Sequence, residues 1–233
     1  MIKLIETSSP LKRLPKEIGR KDILIFDSLR FTCEIIEHAH HQLMANILEL
    51  SYGTSNKHLP SVFGYAWSII DQTVRLSNIC KRLPWEKENE IVGHLSYLKD
   101  FRNTYQHLDE RIQKALLENE LPFYGVISWV YKTKNTLKFE LCQLVSGNWI
   151  SGRAAQQTVP EINLESPEII DLLLHTVNRK GEIINVNLEN VIEDVKSLVV
   201  EIENRFRDFC EKNEFQFIDW SARQDVFFRI KNE

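Results

Sequence analysis

The chain has 233 residues, 43% hydrophobic and 27% charged with the two signs mixed, which is the composition of a folded domain and excludes a disordered chain. A net charge of −4 excludes a protein that coats nucleic acid by bulk charge, but not an enzyme that holds one phosphate with a few local cations. Cys33, Cys80, Cys142 and Cys210 lie far apart without a C-x-x-C pair, and no apolar run nears membrane-spanning length, so a cytoplasmic protein with reduced thiols and no membrane role is expected.

Residues 1–21, with Pro10 and Pro15, read as an arm laid on the surface. A first helix is expected over 22–53, with Phe31, Ile35, Ala39, Leu43, Ile47 and Leu50 as its apolar face and Gly53 as its stop. Glu37 and His40 within it have the E-x-x-H spacing of di-iron bundles. That chemistry needs a second such pair and two more Glu, and no other His has Glu three residues before it, so no metal or cofactor is expected. His38 and His41 fall on the polar side.

Pro60 and Ser61 break the chain and cap a second helix over 61–82, whose broad face carries Val62, Phe63, Ala66, Ile69, Ile70, Thr73, Ser77 and Cys80. Asp71 and Arg75 lie opposite at i,i+4, where they give surface support or line a site. In the stretch 90–119, Leu95, Leu98, Phe101, Tyr105, Leu108, Ile112 and Leu116 recur at three-and-four spacing, which predicts one long amphipathic helix. At roughly 100° per residue the stripe leaves Asn103, His107 and Glu110 on the far side, with Arg102, Gln106 and Asp109 along its edge.

From 121 to 188 the period drops toward two. Segments 125–132 and 136–147 around Thr133-Lys134-Asn135, and 169–177 and 182–187 around Asn178-Arg179-Lys180-Gly181, read as two hairpins. An antiparallel meander with one face on the helices and one in water is expected. Val191, Val195, Leu198, Ile202, Phe206 and Phe209 then make a fourth bundle helix over 189–213, and the tail 214–233 carries Phe215, Phe217, Trp220, Phe227 and Phe228, which call for a docking surface. The fold class expected is α+β, mainly α: a single-domain antiparallel helical bundle with an inserted antiparallel β meander.

No Gly-rich phosphate loop, G-x-S-x-G elbow or H-E-x-x-H is present, which leaves the Arg-Asn…His stretch as the carrier of any chemistry. Metal-free cleavage of RNA begins with attack of a ribose 2′-hydroxyl on the adjacent phosphate, and it needs a proton carrier and a cation on the phosphate. His107 suits the first role and Arg102 the second, while Asn103 could orient the imidazole or bind RNA. The same residues also suit the wet face of an ordinary helix, with Arg102 paired to Asp109 or another carboxylate.

Arg102-Asn103, three further residues and His107 resemble the R-x4-H signature of the HEPN superfamily, helical domains common among ribonucleases of bacterial toxin and phage-defence systems. The resemblance implies an HEPN-like, metal-independent endoribonuclease acting on RNA, with Arg102, Asn103 and His107 catalytic. It implies a homodimer whose motif helices pack together to form one composite site, and an antitoxin or regulatory protein as a further partner. Gln106, Glu110, Asp71 and Arg75 would bind substrate or support the site. The alternative is a non-catalytic interaction module of the same class, binding a protein or a nucleotide. Two departures bear on the choice: the meander is foreign to the minimal helical domain, and Asp109 and Glu110 oppose RNA unless neutralised.

Overall fold

The computed structural model describes residues 2–53, 59–83, 90–112, 116–117, 120–147, 159–217 and 229. It is a mixed α+β structure in which helices pack on a four-stranded antiparallel sheet. Helix α1 (Arg20–Ser51) and α2 (Leu59–Cys80) form the most extensive helix pair. On α1 the buried stripe is Ile25, Phe26, Leu29, Cys33, Ile36, Ala39, Leu43 and Ile47. Ala39, Leu43 and Ile47 of the expected face are buried, but Phe31 and Ile35 are exposed, and the Arg30 guanidinium lies 5.5 Å from the Phe31 ring centre.

The N-terminal arm is core, contrary to expectation. Leu4, Ile5, Leu11, Leu14 and Ile18 are buried, and the Leu4 amide donates to Glu37 Oε2 at 2.7 Å. Glu37 is thus engaged with the arm, while His40 Nε2 lies 2.9 Å from Glu189 Oε1 and His41 Nε2 lies 2.6 Å from the Ile2 carbonyl. His40 and His41 thus tie chain segments together.

The expected helix over 90–119 is broken. The chain forms α3 (Glu90–His94), a 3-10 turn at Leu95–Tyr97, α4 (Leu98–Gln106) and a second 3-10 turn at Asp109–Arg111. Gly93 and Ser96, then Asn103, Thr104, Tyr105 and His107, are weak helix formers that do not hold one long helix. Beyond the second turn, Leu116 buries in a small cluster with Val177, Leu121 and Phe123, so this part of the chain serves the sheet.

Strands β1 (Val126–Lys132), β2 (Phe139–Val145), β3 (Ile169–Val177) and β4 (Ile183–Asn187) are ordered β2-β1-β3-β4. This is not a meander, because β3 returns to the far side of β1. Ile127, Trp129 and Tyr131 face the helical core with Leu172, Leu174 and Val186. The opposite face of β1 is also dry: all seven of its residues are buried, and Lys132 Nζ donates to the carbonyls of Asn163 and Leu164 at 3.2 and 2.8 Å. One wet sheet face was expected; exposure lies instead at the two edges, with Phe139 and Leu141 exposed on β2 and Ile183 on β4.

A bulge in β3 sets Asp171 and Leu172 opposite Trp129, with Asp171 at φ 49°. The final helix, α5 (Leu188–Lys212), starts at Asn187, whose side chain accepts from the amides of Glu189 and Asn190. Its Phe206 ring packs 4.3 Å from Phe26, and Phe217 meets Phe206 edge-on. Trp220, Phe227 and Phe228 of the expected aromatic tail lie outside the described residues. Among the described residues no helix is long and apolar enough to cross a membrane.

Candidate functional site

Three side-chain bonds set the sheet against the helices and thereby place α4. Trp129 Nε1 donates to Ser51 Oγ at 2.9 Å, Trp67 Nε1 to the Tyr124 carbonyl at 3.2 Å, and Thr104 Oγ1 to the Val177 carbonyl at 2.7 Å. Thr104 is fully buried, so its bond to the end of β3 fixes how α4 is rotated about its axis. With Thr104 inward, Asn103 and Gln106 are exposed and Arg102 turns toward α2.

On that seam Arg102 Nε donates to Asp71 Oδ1 at 2.8 Å, and Arg75 binds the other oxygen of the same carboxylate at 3.3 Å. Two guanidinium groups on one carboxylate leave the cluster with one net positive charge. The neighbouring rung is aromatic: Trp67, four residues before Asp71, stacks on Tyr105, three residues after Arg102, with ring centres 4.8 Å apart and planes 14° from parallel. Toward the far end of the seam stand Lys81 and Lys99. Partial burial, and then the Lys99 charge beside it, hold the Lys81 ammonium below its usual pKa.

His107 does not lie on the α4 helix. It is the residue that ends α4, at φ −127° and ψ 29°, with its amide donating to the Thr104 carbonyl at 3.1 Å. Its exposed ring places Nδ1 3.1 Å from Glu110 Oε1. An imidazole with Nδ1–H held by a carboxylate presents Nε2 as the basic nitrogen, which is the arrangement general-base catalysis uses. Among the described residues, no hydrogen bond or ion pair joins Arg102 to His107.

The sequence-predicted residues therefore divide in two. Asp71, Arg75 and Arg102 come together in one cluster, and His107 and Glu110 form a separate pair. Asn103 and Gln106 stand exposed between them along the chain. Sequence reasoning missed a cleft of about 730 Å³ beside this region, whose walls include Phe63, Gly64, Trp67, Tyr105, Phe123 and Tyr124. Phe63 and Trp67 at i,i+4, and Phe123-Tyr124 just before Gly125, were the available signals. Only the fold brings them together.

No family model, no curated protein and no solved structure matches this chain.

Proposed function

We propose that this chain is an HEPN-like, metal-independent endoribonuclease in which Arg102 contacts the scissile phosphate and His107 moves the proton. The observation that carries this reading is that the R-x4-H stretch sets an Arg102–Arg75 cation cluster and a carboxylate-held, exposed His107 at the two ends of one short segment. His107 Nε2 takes the proton from a ribose 2′-hydroxyl, the 2′-oxygen bonds to phosphorus, and the 5′-oxygen leaves. Arg102, seconded by Arg75, steadies the negative charge on the phosphate oxygens. Protonation of the leaving 5′-oxygen falls to the same imidazole of a second copy, packed so that two α4 segments share one composite site. Products carry a 2′,3′-cyclic phosphate and a 5′-hydroxyl.

One observation favours a second reading. Arg102 is already committed to Asp71, and α4 ends before His107, as in an interaction module whose polar seam is structural. The experiment that separates the two is digestion of an RNA beside the same strand carrying 2′-deoxyribose throughout, with end-group analysis. The enzyme reading expects cyclic phosphate ends from RNA and an intact deoxy strand. Cleavage of both strands, or of neither, removes 2′-hydroxyl attack from the account.

A further inference from the structure

We propose that the aromatic cleft beside Arg102 is a nucleotide subsite, which takes an unstacked nucleobase and rests its phosphate on the Arg75–Arg102 pair. The inference deepens the ribonuclease reading by naming what the site grips, but the cleft argument does not depend on cleavage.

At about 730 Å³ the cleft falls within the roughly 300–1,000 Å³ of sites that enclose small ligands. Five aromatic side chains line it, and Tyr105 and Tyr124 remain 37% and 44% exposed there although their neighbour Trp67 is buried. Exposed aromatic faces on a rigid backing are what single-stranded nucleic acid stacks on. Tyr105 is such a face, because its ring is already clamped on Trp67.

Gly64 lines the same cleft in the second turn of α2, where glycine weakens a helix and no packing demands it: an added Cβ would meet nothing within 4 Å. Its lack of a side chain leaves that wall of the cleft open.

Distance and charge pick the ligand class. Trp67 and Asp71 are one turn apart on α2, as are Tyr105 and Arg102 on α4, so the stacking rung and the cation rung lie only about 5–6 Å apart along the seam. One nucleotide bridges that separation. The net positive charge of the two arginines on Asp71 suits a phosphate, and Lys81 and Lys99 extend the cationic side. The opposing carboxylates are the exposed Asp100 of α4, the exposed Asp109, and Glu110, which is engaged by His107. A purely apolar ligand would make no use of this rung.

The test uses the full chain and a fluorescein-labelled 2′-O-methyl oligoadenylate, which cannot be cleaved by 2′-hydroxyl attack, beside an abasic strand of equal length. Anisotropy should show the base-bearing strand bound at least about fivefold more tightly. Tyr105→Ala and Gly64→Phe should abolish that preference, and Tyr105→Phe should keep it, with thermal melting confirming that each variant folds. Displacement of the strand by AMP supports the subsite and marks a free nucleotide as sufficient. Displacement by unlabelled strand alone supports it and marks the strand as the source. Equal affinity for the abasic strand, or an undiminished preference in folded Gly64→Phe, overturns the subsite. Because the probe is not cut, a missing ribonuclease activity leaves this result standing, and a cleaving enzyme without base preference overturns the subsite alone.

Discussion

Arg102 Nε and Asp71 Oδ1 meet at 2.8 Å across the seam between α4 and α2, and Arg75 shares the same carboxylate through its second oxygen. This carboxylate both holds the helices together and sets the charge offered to a phosphate. Asp71→Asn should therefore act in two directions. It should weaken folding by about 1–3 kcal/mol, as loss of partly buried charge-assisted hydrogen bonds does. It should also raise affinity for single-stranded RNA, because the cluster gains one positive charge, with a steeper salt dependence. Denaturant melts and anisotropy at two salt concentrations read both effects. Stability and affinity falling together would show that Asp71 only positions the arginines.

Two glycines should respond oppositely to alanine. Gly125 sits at φ +87°, and a Cβ there would lie 2.2 Å from the His175 carbonyl oxygen, so Gly125→Ala must displace the junction of β1 with β3. A loss above about 2 kcal/mol is expected. Gly64 is helical with open space around it, so Gly64→Ala should stabilise by about 0.5–1 kcal/mol. Urea midpoints of the two variants test the pair, and a neutral Gly125→Ala would contradict the placement of that turn.

Burial holds the His175 imidazole below its usual pKa, with Ser128 Oγ 2.7 Å from its Nε2. The unfolded chain then takes a proton before the folded one does as pH falls. Stability from this residue is complete above the unfolded value of about 6.5 and is lost as pH falls from there through the folded value. The melting temperature should drop between pH 7.5 and 5, and His175→Gln should flatten that slope. An unchanged slope would assign the acid sensitivity to other groups.

Burial also pushes the Cys33 thiol well above its usual pKa, Cys80 up to about 12 and Cys210 up to about 11. The native chain at pH 8 should resist iodoacetamide at these three positions, and urea should open them to labelling. Rapid labelling of any of the three in the native state would contradict its burial.

Periodicity made α1, α2, α5 and all four strands legible within a few residues, although the burial of β1, complete along its length, does not follow the alternation. It failed where one pattern fits two structures. The apolar spacing from Leu95 to Leu116 is that of a helix, but it does not register weak helix formers or the pull of Val177 on Leu116. Alternation located β1 without revealing its neighbours, so its burial on both faces and the β2-β1-β3-β4 order emerged only from the fold. The prolines of the N-terminal arm suggested a surface strap, whereas Leu4, Ile5, Leu11 and Leu14 fill the core. At the site, Asp71, Arg75 and Arg102 were singled out from spacing and do converge, but their joining through one carboxylate spans 31 positions and could not be read locally. The cleft walls are equally scattered.

The most direct test is cleavage of a fluorogenic mixed-sequence RNA in excess EDTA, wild type beside His107→Ala, with melting curves showing both folded. The account predicts cutting by the wild type and a loss of at least about 100-fold in the variant, as removal of a general acid–base group entails. Cutting by both at equal rates would take His107 out of the site. Cutting by neither would leave the Arg102–Asp71 seam as a binding surface without catalysis.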